Sequence, residues 1–204
     1  MWVRVATFEG GDTEKLQKLN EERMSSGEMT PPEGMSHVLL LTDQDKNRRQ
    51  FVSFFESRDA IAAAEPRFEQ MGDEVPEDIR GRRTGVDYHE VVIFEGDIEG
   101  AQAARVSSMT GSPDTIDEGL EKARGETLPQ VRGLKGNLGA IGLVDRESGR
   151  ATMITLWDSA DALRESEQQA DQIREQAAGI SGQTIAGVDR YDVSMAQQVS
   201  GTRA

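Results

Sequence analysis

Proton transfer near neutral pH is the chemistry to which histidine is best suited, and this sequence contains two, His37 and His89. Because the chain repeats itself, His89 falls at the same step of a strand as Tyr191. The two are the candidate catalytic acids or hydrogen-bond donors of a pocket, a hydrogen-bonded structural role being the competing reading. His37, whose counterpart is Gly139, is a candidate base or substrate contact. Trp157 alternates with Met153 and Thr155 and points opposite to Ile154 and Leu156. With Ile154 and Leu156 against helices, Trp157 faces the interior between two sheets. There it, or its counterpart Phe55, lines a cavity for a small aromatic molecule; plain core packing is the alternative.

Two arginines, Arg4 and Arg105, are matched between the copies and sit between apolar neighbours, which puts them on the opposite face from those neighbours. The acids Glu90 and Asp192 are matched as well. If the first and last strands of a copy are neighbours, cross-strand pairs Arg4 with Glu90 and Arg105 with Asp192 follow. Such a pair orients an anionic substrate or serves structure alone.

Other chemistries are excluded or weakly supported. With no cysteine and two histidines, sulfur-based and histidine-rich metal sites are ruled out, and no metal site is expected. No serine, histidine and aspartate arrangement can be placed. Gly133, Gly136, Gly139 and Gly142 do not open a helix as a phosphate loop does. The run Arg80-Gly81-Arg82-Arg83 has no counterpart in the other copy and reads as a solvated loop, with an anion contact as the minority reading. The 204 residues carry 23 Lys plus Arg against 37 Asp plus Glu, a net charge of −14, which argues against nucleic acid or anionic membrane as partner. No apolar run reaches the ~20 residues of a membrane span. A cytoplasmic location is expected.

The elements that must position these residues come in two sets. Leu41 to Val91 aligns without a gap on Leu143 to Val193, and 12 of the 51 positions are identical, among them Asp43/Asp145, Ser57/Ser159, Glu65/Glu167 and Gly85/Gly187. Each copy opens with a short strand, Trp2 to Phe8 or Arg105 to Met109, then an amphipathic helix after Asp12-Thr13 or Pro113-Asp114. A hairpin follows, then a helix capped by Ser57 or Ser159, then a last strand. The order βαββαβ, twice, predicts an α+β fold: two ferredoxin-like repeats packed sheet to sheet. Residues 1–95 form the first repeat, 96–103 a linker, 104–196 the second repeat and 197–204 a flexible tail.

The segment Met153-Ile154-Thr155-Leu156-Trp157-Asp158-Ser159-Ala160-Asp161-Ala162-Leu163, with Phe55-Glu56-Ser57-Arg58-Asp59-Ala60-Ile61 in its place in the first copy, resembles the antibiotic biosynthesis monooxygenase-like family of the dimeric α+β barrel superfamily. The resemblance implies a single-chain barrel, and a cofactor-independent monooxygenase or related enzyme acting on a small aromatic substrate in the barrel cavity. The alternative is a non-catalytic ligand-binding or stress-associated barrel. The haem-degrading branch uses an asparagine on the first strand and a histidine on the second helix, and both are absent here. No cofactor is expected, and the chain is expected to be a monomer with an internal pseudo-dimer or a weak homodimer. The differences Phe55/Trp157, His89/Tyr191 and His37/Gly139 predict sites that differ between the halves.

Overall fold

The structure, a computed structural model, describes residues 1–25 and 30–199. In the first copy β1 (Trp2–Glu9), α1 (Thr13–Ser25), β2 (Met35–Asp43), β3 (Arg48–Phe55), α2 (Arg58–Asp73) and a short α3 (Glu77–Arg80) lead into β4 (Arg82–Gly96). In the second, β5 (Ala103–Thr110), α4 (Ile116–Lys122), α5 (Leu128–Arg132), β6 (Asn137–Asp145), β7 (Arg150–Trp157), α6 (Ala160–Glu165) and α7 (Glu167–Ser181) lead into β8 (Thr184–Gln198). The strands form one closed antiparallel barrel in the order β1-β3-β2-β8-β5-β7-β6-β4. The α+β barrel expected from the duplication is the observed fold.

Local chemistry explains the repeated elements. Ser57 accepts from the Ala60 N–H at 3.0 Å and Ser159 from the Ala162 N–H at 3.2 Å, so both second helices start where a side-chain oxygen satisfies a free amide. Both hairpins turn through left-handed backbone, at Asn47 (φ 45°) and at Gly149 (φ 72°). Asparagine tolerates that region. At Gly149 no side chain fits, since a Cβ there would lie 2.1 Å from the Gly111 carbonyl oxygen. The second helix differs between copies. In the first it runs unbroken as α2, burying Ile61, Ala64 and Phe68. In the second it breaks at Ser166 into α6 and α7.

The chain divides into two compact units, one of Met1–Tyr88 with the residues from Ser194 on, the other of His89–Val193. These boundaries fall inside β4 and β8, not in the segment 96–103 expected as a linker. That segment is itself anchored: Ile98 and Ala101 are buried, and the Gln102 N–H donates to the Trp157 carbonyl at 2.9 Å. Of the expected tail, Gln197 and Gln198 complete β8 and the Val199 N–H donates to the Ser36 carbonyl at 2.8 Å. Ser200–Ala204 lie outside the described residues. In the first unit Met35, Val38, Phe55, Ile61 and Phe68 form the core beneath α2. In the second, Trp157 gathers Val131, Leu163 and Ile173 from the helices and Leu134 from the turn after α5.

Candidate functional site

In the second unit β5 pairs with β7 so that Arg105 lies opposite Thr155 and Ala103 opposite Trp157. Residues opposite one another share a face, and Trp157 packs on helical residues, so this is the helix-covered face. The expected facing is therefore reversed: Trp157 points under the helices, and Ile154 and Leu156 point away. The reason lies in the burial pattern. Ile154, Leu156 and Trp157 are all essentially inaccessible, so neither face of β7 is polar and alternation alone carries no direction. The indole is satisfied locally, its Nε1 donating to Thr155 Oγ1 at 3.1 Å.

Beside Trp157 is a cavity of about 110 Å³. Its walls include Met109, Leu120, Met153 and Ile173, and its charged lining residues are Arg105, Lys122 and Arg174, with no acid, histidine or tyrosine among them. Arg105 is buried and its guanidinium carbon lies 5.1 Å from the Trp157 ring centre. Its Nη2 donates to the Leu163 carbonyl (2.8 Å), Ser166 Oγ (3.0 Å) and Glu167 Oε2 (3.1 Å). The helix break at Ser166 thus coincides with two of the acceptors that hold Arg105. Arg190 also donates to Glu167, through Nε at 3.0 Å and through Nη2. Burial lowers the Arg105 pKa from the ordinary guanidinium value, with the Glu167 charge opposing. Burial by itself raises the Glu167 carboxyl; hydrogen bonds from Arg190 and the charge of Arg105 overcome it and hold the group below its ordinary value. Arg174 donates to Ser107 Oγ at 3.3 Å and pairs with Asp171.

The first unit repeats this design with other parts. Arg4 is buried and bonded to Glu65 on α2 through Nε at 2.8 Å and Nη2 at 3.2 Å. It lies 4.4 Å from the Phe68 ring centre, and Tyr88 donates its hydroxyl to the same Glu65 at 2.8 Å. A cavity of about 370 Å³ opens here, lined by Arg4, Phe8, Leu40, Arg49, Phe51, Phe68 and Met195 among others. The basic run Arg80-Gly81-Arg82-Arg83, read as a solvated loop, contributes all three of its arginines to this lining.

The expected cross-strand pairs are corrected. Each arginine takes its acid from a helix: Arg4 pairs with Glu65 and Arg105 with Glu167. On β8 it is Arg190 that lies opposite Arg105, whereas Asp192 lies opposite Ala103. Glu90 pairs with Arg146 at 2.6 Å. Of the remaining candidates, Phe55 is buried core, stacked edge-on to Phe68 at 6.1 Å. His37 lies opposite Phe54 in the β2–β3 register, with its Nδ1 3.0 Å from Ser36 Oγ. Tyr191 is buried and lies opposite Ala104, hence on the face away from Arg105 and Trp157. His89 is half-buried in β4. None of these four lines a described cavity. Sequence reasoning missed Glu65 and Glu167, although their identity between copies marks them. It also missed Arg49 and Arg174, whose counterparts Ala151 and Gly72 give no signal. Among the described residues no group of three or more acids and histidines is placed to hold a metal ion, and no helix is long and apolar enough to cross a membrane.

No protein-family model matches the chain. An uncharacterised protein of Mycobacterium tuberculosis, Rv2557, is 30% identical over 144 residues, 70% of this chain and 64% of that protein. The chain thus spans less than two thirds of that relative. A second one, Rv2558, is 29% identical over 92 residues, 45% of this chain and 39% of its own length. Among solved structures, an anthrone oxidase-like protein superposes with a TM-score of 0.65 at 16% identity, covering 100% of this chain and 95% of its own. A candidate monooxygenase from Fusobacterium nucleatum gives 0.66 at 12% identity, covering 97% and 93%. These likenesses establish the fold, an α+β barrel of the kind found in monooxygenase-like proteins.

Proposed function

We propose that this α+β barrel chain binds a single-ring phenol in the cavity of its second unit and oxygenates it with molecular oxygen, without a metal or organic cofactor. The observation that carries this reading is the wall formed by Arg105 and Trp157 in a cavity that Met109, Leu120, Met153 and Ile173 make largely apolar and whose charged lining residues are all cations. The acids that pair with these cations, Glu167, Asp171 and Glu118, do not line the cavity, so the charge nearest a bound phenol is positive and favours the phenolate, and the absence of a lining base is no obstacle. The phenolate passes one electron to oxygen, and the phenoxyl and superoxide radicals form a C–O bond at the ring carbon para to the phenol oxygen. The resulting peroxide takes up the phenol proton, then its O–O bond and the para C–H bond break, so that hydroxide leaves with the para hydrogen as water and a quinone remains. One oxygen atom enters the product and the other leaves as water. The size of the cavity limits the substrate: a site of ~150 Å³ holds benzene in an apolar interior, so about 110 Å³ admits one ring only as Met109 and Met153 give way.

The test is incubation with phenol and 2-methoxyphenol under ¹⁸O-labelled oxygen, with Trp157 fluorescence in a Trp2→Phe background reporting binding. Quinone carrying one labelled oxygen, formed at least tenfold more slowly by Arg174→Gln, is the expected result. Quenching without labelled product favours the second reading, a non-catalytic binding barrel, for which the lack of His89 and Tyr191 in the cavity lining speaks. No quenching overturns both.

A further inference from the structure

We infer that the cavity of the first unit is a separate binding site for a small organic monocarboxylate with an apolar body, and that Arg49 receives its charge. Arg49 is 1% exposed and lines the cavity. Its Nη2 donates to the Gly10 carbonyl and, at 3.0 Å, to the Arg80 carbonyl. Its Nε and Nη1 are buried and without partners, leaving three of the five guanidinium N–H donors unused. Arg49 has no ion pair among the described residues, in a chain whose net charge is −14. Burying such a cation without an acid is costly, and the surroundings are shaped to hold it nonetheless. A Cβ at Gly11 (φ 82°) would lie 2.5 Å from Nη2 and one at Gly81 (φ 77°) 2.9 Å, so two glycines in left-handed backbone make the space the guanidinium occupies. Burial lowers the Arg49 pKa, with Asp12 opposing, yet a guanidinium keeps its proton in proteins.

The other cations of the lining are already matched. Arg4 pairs with Glu65, Arg83 with Glu69 at 2.8 Å, and Arg82 with Glu9 at 3.6 Å, while Arg80 Nε donates to the Val75 carbonyl at 3.1 Å. Arg49 is therefore the buried cation of the lining that has neither an acid nor a full set of acceptors, and Asp73 and Glu77 in the same lining repel a polyanion. That selects a monoanion over a phosphate ester. About 370 Å³ lies in the range of small-molecule sites, and Phe8, Phe51, Phe68, Leu40 and Met195 supply the apolar walls such ligands need. The second unit has Ala151 in place of Arg49, and its buried Arg105 is paired with Glu167.

Isothermal titration of the full chain with 4-phenylbutyrate, 4-phenylbutanol and inorganic phosphate tests the assignment. Expected is saturable binding of one phenylbutyrate per chain, at least tenfold tighter than the alcohol of the same carbon skeleton, and no saturable binding of phosphate. Arg49→Gln abolishes the preference for the acid. If that variant does not fold, Met71→Trp, which fills the cavity and leaves Arg49 in place, weakens phenylbutyrate at least tenfold, whereas Trp157→Phe leaves it unchanged. Equal affinity for acid and alcohol, tighter binding of phosphate, retention of the acid preference in Arg49→Gln, unaltered binding by Met71→Trp, or no binding of the acid at millimolar concentration overturns the proposal.

Discussion

Both units pair a buried arginine with a partly exposed glutamate, and they differ in the rings and cavities around that pair. In both, an arginine of the opening strand pairs with a repeated glutamate of the helical segment after the hairpin, Arg4 with Glu65 and Arg105 with Glu167. The ring over the guanidinium comes from the helix in the first unit (Phe68) and from the strand in the second (Trp157). Where one unit has Phe55 and Phe68, the other has Trp157 and Ala170. A large ring on the strand replaces two smaller rings, which is how a close-packed interior accepts substitution when total volume is roughly kept. The second donor to the glutamate is also exchanged, Tyr88 for Arg190 at equivalent positions. The ion pair is a fixed part of the design, and cavity volume and polarity are parts that diverged.

The largest effects should come from the rings. Trp157→Ala removes both a core side chain and the partner of Arg105, so its cost should be about 4–5 kcal/mol, against about 3 for Phe55→Ala or Phe68→Ala alone. Denaturant midpoints of the three variants decide it, and equal costs would break the idea that Trp157 unites two roles. Next come the carboxylates. Glu167 balances two guanidinium groups and Glu65 one, so Glu167→Gln should cost about 2–3 kcal/mol and Glu65→Gln about 1–2. Both lie between the ~3–5 of a fully buried pair and the ~0–1 of an exposed one. A double-mutant cycle of Arg4→Met with Glu65→Gln should show coupling, and additive costs would remove the pair as the shared element. The smallest effects should come from the second donors: Tyr88→Phe about 0.5 kcal/mol and Arg190→Ala about 1, both being partly exposed. The reverse order would mean that the exchanged donors are not equivalent.

A pH titration sharpens the same comparison. Burial by itself raises both glutamates, and their hydrogen bonds and neighbouring cations bring each below its ordinary 4.5. Carboxyls lowered on folding stabilise fully above the unfolded value and lose that contribution as pH falls through the folded one. Stability should therefore decline below about pH 4.5, and the doubly substituted Glu65→Gln, Glu167→Gln chain should lose less over that range than the parent. Equal slopes would show that other carboxyls carry the acid response.

How far the sequence discloses this molecule depends on whether two copies speak to one question. Element order, caps and hairpins were legible because Ser57/Ser159 and Asp43/Asp145 recur at the same offset. Arg4 and Arg105 were legible through the same repeat after a slip of one residue. Their partners were misassigned because register is not written in alternation: the β5–β8 pairing carries an irregularity between Ser108 and Met109, and Arg190 faces Arg105 where Asp192 was expected. Facing was misread at Trp157 because both faces of β7 are apolar. Arg49 was invisible because its counterpart is Ala151 and the glycines that make room for it, Gly11 and Gly81, lie far from it in sequence.

The boundaries inside β4 and β8 also bear on how this chain is born. The second unit is one uninterrupted stretch, His89–Val193, and has all its parts as soon as Val193 is made. The first unit begins at Met1 yet waits for the residues from Ser194 on, and Met195 is a wall of the cavity that holds Arg49. During synthesis, which adds residues from the N-terminus, the earlier half of the message encodes the site that closes last. Until then the cavity beside Arg49 lacks one of its walls.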